Sequence, residues 1–278
     1  MEVSELKMST AVIKPPGGWG FIDFKELVAY RDLLRFLVWR DIKVLYAQTI
    51  LGLSWAVLNP LIQIVIFTII FGNIAKLSTD GIPYVLFSTI AVVPWTYMSD
   101  AMNKASQSLV ASQNMLGKVY FPRIIFPITP VLAGTLDFLI SLVIIVAVMI
   151  YFEVMPTINM VALPLFMFMM VLVPFGIGLW LSSLAIRYRD VKFAMNFVIR
   201  LLIYTAPVLY SASAVPEQYK LLYALNPIVS VIQGFRTCLL GGPWDLELIV
   251  PGLITGILVV VSGLFYFKRM ERVFVDVI

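Results

Sequence analysis

The feature that most constrains the fold of this chain is a series of long apolar runs separated by short charged segments. A membrane-spanning helix needs about 20 predominantly apolar residues. Hydrophobic residues make up 61% of the 278 and charged residues only 13%, so lipid must surround much of the chain. The sequence predicts an all-α integral membrane protein with six transmembrane helices. We place them at 55–74, 83–102, 124–152, 160–186, 193–211 and 248–267.

The basic residues predict which ends of these helices face the cytoplasm. Lysine and arginine are enriched in the short cytoplasmic loops of membrane proteins. With a cytoplasmic N-terminus, all of the 20 lysines and arginines except Lys76, Lys220 and Arg236 fall on cytoplasmic segments. Both termini are therefore expected in the cytoplasm.

The first 50 residues divide into two parts ahead of the six-span domain, 51–278. Residues 1–22 are polar and predict a cytoplasmic tail rather than a cleavable signal peptide. In residues 23–50, apolar side chains recur at helical spacing and basic side chains lie largely off that stripe. This pattern predicts an amphipathic helix in the cytoplasmic membrane interface, followed by a loop. A cytoplasmic helix packed on a partner protein is the alternative.

The segment between the fifth and sixth predicted spans is broken by several prolines. Asn226 is a typical helix cap, Pro227 suits a first helical position, and Gly241-Gly242 would end the helix. These signals predict a helix over 227–240, which is too short to cross a membrane. Short re-entrant gate helices on the outer side and a helix on the outer leaflet both fit the pattern.

The sequence lacks the motifs of several enzyme classes. It contains no G-x-x-x-x-G-K-[ST] phosphate-binding loop, no H-E-x-x-H and no paired C-x-x-C. Without histidine and with a single cysteine, it also lacks the residues of common metal sites and proton relays. We therefore expect a protein that is not an enzyme and that binds no cofactor or metal. Any ATP hydrolysis that drives it is expected from a separate partner protein.

Asp137 is the single carboxylate well inside a predicted span, and Arg200 lies about one turn inside the fifth. Asp137 would either contact substrate or a coupling ion, or form a hydrogen bond between helices. Arg200 shares a helix face with Asn196 and Tyr204, and it would either bind a phosphate or extend towards the headgroups. Aromatic residues near the predicted interfaces fit an ordinary aromatic belt, or a passage on which sugar rings stack.

Short motifs along the chain resemble a known family, the membrane subunits of type-2 ABC exporters that carry O-antigen, capsule or teichoic acid. The motifs occur in order from the interface helix to the short helix near residue 240. The matching segments are 39–43 (WRDIK), 46–49 (YAQT), 51–52 (LG), Trp55, Pro60, 121–123 (FPR), 187–191 (RYRDV), 207–210 (PVLY), 215–217 (VPE), 222–227 (LYALNP) and 234–236 (GFR).

The resemblance implies a homodimer in the bacterial inner membrane, bound to two copies of a separate ABC ATPase that uses ATP and magnesium. The implied cargo is a polysaccharide linked to a lipid, undecaprenyl diphosphate, with O-antigen favoured over teichoic acid and capsule. Membrane lipid is the other expected partner, and no nucleic acid is expected. A stand-alone channel or a secondary transporter is the alternative from another class.

The resemblance also assigns residues to three roles. Because Leu45 stands where the family has a basic residue, Arg40 or Lys43 would have to contact the phosphate. Leu109 and Met115 are expected on an exposed short helix of the cytoplasmic loop. The expected substrate-uptake residues are Arg40, Lys43, Tyr46, Gln48, Leu51, Gly52 and Arg200; the pore or gate residues are Trp55, Asn196, Tyr204, Tyr210, Tyr219, Tyr223, Asn226 and Arg236; and the ATPase-coupling residues are Arg31, Asp32, Leu109, Met115, Arg187, Arg189 and Asp190.

Overall fold

The computed structural model describes residues 24–47, 49, 51–116 and 121–271, and this part of the chain is helical without β-strands. The elements are joined by short connections. They are α1 (Phe24–Ala29), α2 (Arg31–Tyr46), α3 (Ser54–Phe67, continued by a π-helix, Thr68–Ile74), α4 (Tyr84–Ala111), α5 (Gln113–Leu116), α6 (Ile125–Tyr151), α7 (Leu163–Arg187, preceded by a 3-10 helix, Ile158–Ala162), α8 (Arg189–Leu201, followed by 3-10 helices Leu202–Thr205 and Ala212–Ala214), α9 (Glu217–Ala224), α10 (Pro227–Leu240) and α11 (Leu246–Met270).

Four helical segments of the described chain are long and apolar enough to cross a membrane. They match the first, third, fourth and sixth predicted spans within a few residues. Their bounds are Ser54–Ile74, Ile125–Tyr151, Ile158–Arg187 and Leu246–Met270.

Helix α4 is long enough to cross but carries more polar residues, and it lies at the centre of the bundle against α6 and α7. Most of its serine and threonine hydroxyls donate to carbonyl oxygens of the same helix: Thr89 donates to the Val85 carbonyl oxygen at 2.7 Å and Ser108 to the Ala105 carbonyl oxygen at 2.7 Å. Such internal bonds make buried hydroxyls tolerable. The helix continues to Ala111, past the predicted span end at residue 102.

The fifth predicted span, 193–211, is not one continuous helix. Helix α8 ends at Leu201, a 3-10 helix follows to Thr205, and Ala206 is extended with φ −125° and ψ 156°. Pro207 accounts for the break, because a proline has no N–H to donate and forces the residue before it out of the helical region.

Helix α10 has the predicted bounds. The Asn226 side chain accepts a hydrogen bond from the Ile228 N–H at 3.1 Å, and Pro227 occupies the first turn. Gly241 ends the helix in the left-handed conformation, with φ 74°. Both end signals predicted from the sequence are therefore confirmed.

Close backbone contacts hold the central helices together. A Cβ added to Gly178 of α7 would lie 2.5 Å from the Ala105 Cβ of α4, and one added to Gly252 of α11 would lie 2.6 Å from the Ser230 Cβ of α10. Small residues at such crossings let helix backbones approach in an apolar environment. The Gly252 contact therefore packs α11 closely against α10.

Candidate functional site

A cavity of about 250 Å³ lies between α2, α3, α4 and α6. It contains residues from the stretch 45–60, which we call the uptake segment, and from the middle of two long helices. Its walls are formed by Leu45, Tyr46, Trp55, Ala56, Asn59, Pro60, Val93, Thr96, Tyr97, Asp100, Ala101, Lys104, Pro130, Gly134, Asp137, Phe138 and Ser141.

Hydrogen bonds fix two of these walls. The Tyr46 hydroxyl, at the end of α2, donates to the Asp137 carboxylate of α6. One turn further along α6, the Ser141 hydroxyl lies 2.7 Å from the Ala56 carbonyl oxygen of α3 and 2.8 Å from the Asp137 carbonyl oxygen. The end of α2 and the start of α3 are thus both tied to α6, and Asp137 forms a hydrogen bond between helices.

The acidic and basic side chains that line the cavity are two carboxylates and one ammonium. Asp100 and Lys104 lie one turn apart on α4 and attract each other, while Asp137 faces them from α6. Trp55 and Tyr97 contribute aromatic surface, and the Tyr97 hydroxyl is already used by the Val131 carbonyl oxygen at 3.0 Å. The site therefore combines carboxylates with aromatic rings and is more acidic than basic.

The predicted uptake residues are only partly brought together. Tyr46 lines the cavity, whereas the other described members lie outside its walls. Arg40 pairs with Asp41 at 2.8 Å, and the Lys43 ammonium lies 5.8 Å from the centre of the Trp39 ring. The remaining members are Leu51, exposed; Gly52, with φ 49°; Arg200, exposed on α8; and Gln48, which lies outside the described residues.

Most of the predicted gate residues meet at the opposite end of the bundle. The Tyr210 hydroxyl donates to the Tyr204 carbonyl oxygen at 2.9 Å, and the Tyr210 and Tyr223 rings are 6.5 Å apart. The Asn226 side-chain amide donates to the Thr205 carbonyl oxygen at 3.1 Å. We call the group formed by Tyr84, Phe87, Tyr210, Tyr223 and Arg236 the outer cluster.

Three predicted gate residues lie apart from the outer cluster. Trp55 lines the cavity, and Asn196 on α8 is 3.5 Å from the Gln107 side chain of α4. Tyr219 is exposed on α9. On the same helix, Lys220 contacts Glu247 at 3.2 Å, and this hydrogen bond raises the pKa of the Lys220 ammonium.

Among the predicted coupling residues, the exposure expected for Leu109 is wrong. Leu109 is 0% exposed, because α4 continues to Ala111 and turns this side chain into a cluster with Leu37 of α2 and Ile186 of α7. Met115 is exposed as expected. The others are Arg31, 3.8 Å from Asp32; Arg187, 5.3 Å from the Tyr188 ring centre; Asp190, exposed; and Arg189, whose side chain lies outside the described set.

Sequence reasoning missed the α4 side of the cavity. Asp100 and Lys104 are spaced i, i+4 at the end of a predicted span, which is a signal for a charged pair on one helix face. Asp137 was singled out as an intramembrane acid, but its partner Tyr46 is 91 residues away in sequence. Only the packing of α2 on α6 brings them together.

A bundle of long apolar helices that encloses a small polar cavity defines a polytopic membrane protein. Residues 32–240 match the family described as the ABC-2 type transporter. The chain belongs to this family.

Several individual proteins are similar to this chain over most of its length. "O-antigen export system permease protein RfbA" of Klebsiella pneumoniae is 28% identical over 248 residues, which is 89% of this chain and 95% of the relative. The protein of the same name from Myxococcus xanthus is 25% identical over 76% of this chain and 82% of its own length. "Polysialic acid transport protein KpsM" of Escherichia coli is 23% identical over 73% of this chain and 79% of its own length. These relatives are permeases and transport proteins for polysaccharides.

Proposed function

We propose that this chain is the membrane subunit of an ATP-driven exporter that moves an undecaprenyl-diphosphate-linked polysaccharide of the O-antigen type out of the cytoplasm. The similarity to O-antigen export permeases over 89% of the chain carries this proposal. The polysialic acid transport protein matches at lower identity over a smaller share, so a capsule polysaccharide is the second candidate.

The proposed topology has six crossings in the bacterial inner membrane and both termini in the cytoplasm. Helix α4 is the second crossing, and α8 with its 3-10 extension is a short fifth. Lys104, Arg187 and Lys268 lie at one end of the bundle, which supports a cytoplasmic location for that end. Helices α9 and α10, at the other end, are then the outer gate helices.

The interface-helix proposal rests on the two faces of α2. Leu37 is buried against the cytoplasmic end of the bundle. Phe36, Trp39 and Val44 are exposed beside the basic Lys43. Exposed aromatic side chains next to basic ones suit the boundary between headgroups and acyl chains.

We assign the cavity to the sugar nearest the lipid rather than to the diphosphate. Asp100 and Asp137 would repel a phosphate, whereas their oxygens accept hydrogen bonds from sugar hydroxyls. Its 250 Å³ is below the roughly 300–1,000 Å³ of pockets that enclose whole drug-sized ligands, so it suits one unit of a polymer. The diphosphate is left to Lys43, one turn before Tyr46, and to Arg40 and Arg200.

A homodimer with two ATPase subunits completes the proposed exporter. Apolar side chains of α8, among them Phe193 and Phe197, are exposed in the single chain. The same helix carries exposed Arg200 and half-buried Asn196. This mixed surface suits a passage between two copies, where a polymer slides without tight binding. Exposed Met115 and Asp190 belong to the surface proposed for the ATPase.

The test is reconstitution with an ABC ATPase subunit from the same organism. Both proteins are purified together in lipid nanodiscs, and ATP hydrolysis is measured with each subunit alone and with both. We expect a complex of two copies of each, with hydrolysis that depends on both. A chain that never associates with the ATPase would instead indicate a stand-alone channel or secondary transporter.

The cargo is tested in cells that lack the chromosomal copy. Restored surface polysaccharide, detected by gel and by sugar analysis, identifies the glycan. Restoration of a capsule polymer but not of O-antigen would favour the second candidate.

A further inference from the structure

The outer cluster contains an arginine that is buried and unsatisfied. Arg236 of α10 is 5% exposed, and none of its three guanidinium nitrogens has a hydrogen-bond partner among the described residues. The guanidinium carbon lies 3.5 Å above the centre of the Phe87 ring. Leaving a charge buried without a partner is strongly destabilising. A ring face offsets only part of that cost.

A second buried donor lies in the same cluster. The Tyr223 hydroxyl of α9 has no hydrogen-bond partner within 3.5 Å in the part of the chain that the structure describes, and its polar neighbour beyond that distance is the Tyr210 side chain. Tyr223 interacts electrostatically with Arg236. By contrast, the neighbouring Tyr84 hydroxyl is satisfied by the Leu209 carbonyl oxygen at 2.9 Å. The Arg236 guanidinium therefore has no acceptor among the described residues, and the Tyr223 hydroxyl has none within normal hydrogen-bonding distance.

No carboxylate of the described chain fills this role. Asp80 is the acidic residue nearest in electrostatic effect, but it is exposed and makes no ion pair with Arg236 within 4.0 Å. Its carboxylate accepts hydrogen bonds from Ser211 and from Ser213, the latter at 2.8 Å. Solvent screens such an exposed charge, so it offsets little of the buried one.

We propose that the outer cluster is a binding site for one small monovalent anion, such as chloride. A guanidinium and a hydroxyl donor match an anion, which accepts hydrogen bonds and also neutralises the charge. A water molecule would accept hydrogen bonds but would not neutralise the charge. The burial of Arg236 excludes a bulky occupant, and α4, α9 and α10 each contribute a side chain. The anion therefore joins α10 to α9.

The test is the chloride dependence of thermal unfolding of the purified full-length chain. Chloride is replaced by gluconate at constant ionic strength. At a chloride concentration ten times the Kd, binding favours the folded state about 11-fold, which raises the Tm by about 3 °C. Crystals grown in bromide are expected to show an anomalous peak beside the Arg236 guanidinium.

Matched variants locate the effect. Arg236→Met is expected to abolish the chloride dependence, and Tyr223→Phe to raise the half-saturating concentration about tenfold. Arg35→Met, at an exposed arginine, and Tyr151→Phe, at an exposed tyrosine of α6, are expected to behave like the wild type. If Arg236→Met does not fold, the chloride dependence of Tyr223→Phe and the bromide peak test the site instead.

A wild-type Tm that is the same in chloride and gluconate would overturn the site. So would a chloride effect that survives unchanged in Tyr223→Phe with no bromide peak at Arg236. Neither result would bear on export, because the anion site does not depend on the proposed cargo.

Discussion

Single side chains determine the shape of the cavity. The hydrogen bond from Tyr46 to Asp137 attaches the end of α2 to the middle of α6, and Ser141 does the same for the start of α3. Acceptors that carry charge make stronger bonds than neutral ones. Because an intramembrane carboxylate is costly, its partner should matter for stability as well as for the cavity.

We predict that Tyr46 and Asp137 are energetically coupled. Tyr46→Phe should destabilise the chain by about 1 kcal/mol, since the carboxylate loses its donor. In a double-mutant cycle with Asp137→Ala, measured by thermal unfolding, the second change should cost much less than it does alone. Strictly additive losses would contradict the coupling. Tyr151→Phe, at a tyrosine that is 80% exposed, serves as the control and should be neutral.

A second prediction concerns Asp100. Asp100→Asn keeps the shape of the side chain but removes a charged acceptor from the cavity wall. Loss of a hydrogen bond to a charged group is worth about 1.5–3 kcal/mol, so export should fall about tenfold or more. Surface polysaccharide is measured by gel, and the amount of the chain in the membrane by immunoblot.

Glu153→Gln provides the matched control for this experiment, because Glu153 is an exposed acid at the end of α6 away from the cavity. Export at the wild-type level in Asp100→Asn, with normal amounts of the chain, would remove Asp100 from the proposed sugar site.

The helices of the bundle pack most closely at glycine positions, where a larger side chain would not fit. The contact of Gly178 in α7 with Ala105 in α4 joins the two helices at the centre of the molecule. Since lipid chains are as apolar as leucine, such close packing replaces the hydrophobic effect as the source of helix association.

We predict that Gly178→Ala destabilises the bundle by about 1–3 kcal/mol, because the new Cβ would lie 2.5 Å from the Ala105 Cβ. Gly242→Ala is the control: a Cβ there meets nothing within 4 Å, so its effect should stay within about 0.5 kcal/mol. Thermal unfolding in detergent compares the two. Equal Tm values would mean that α4 and α7 separate freely at this point.

Local signals explain which elements the sequence could predict. The bounds of α10 follow from Asn226, Pro227 and Gly241, each of which acts on its nearest backbone groups. The break after α8 was missed although Pro207 causes it, because the apolar run continues across the proline. The end of α4 was missed for the opposite reason, since Asn103 and Lys104 interrupt the apolar run but not the helix.

At the scale of the whole molecule, the proposed topology predicts which positions are reachable from each side of the membrane. Cys238 is the only cysteine and is 0% exposed, so the wild-type chain should not react with a membrane-impermeant maleimide. Tyr151→Cys should be labelled from outside the cell. Gln113→Cys should be labelled only after the membrane is opened.

Labelling of residue 113 in intact cells, or no labelling of residue 151, would contradict the proposed orientation. Export of each variant is measured in parallel, so that labelling is interpreted only for chains that are assembled.

The composition of the cavity wall could not be predicted from the sequence, because its residues come from four different helices. Tyr46 and Trp55 were selected because they lie in a motif, but Tyr97, Asp100 and Lys104 belong to a different helix with no such motif. Their meeting depends on how α2 and α3 pack on α4 and α6. Chain order restricts this packing without fixing it, whereas helix ends and apolar runs are properties of neighbouring residues.

The attachment of α2 to α6 has a mechanical consequence. Leu45 and Tyr46, at the end of α2, form part of the cavity wall, while Leu37 on the same helix sits among side chains of α4 and α7. The 16 residues of α2 form one continuous helix about 24 Å long, so a displacement at one of its ends also moves the other. A displacement of α2 would therefore move one wall of the cavity directly.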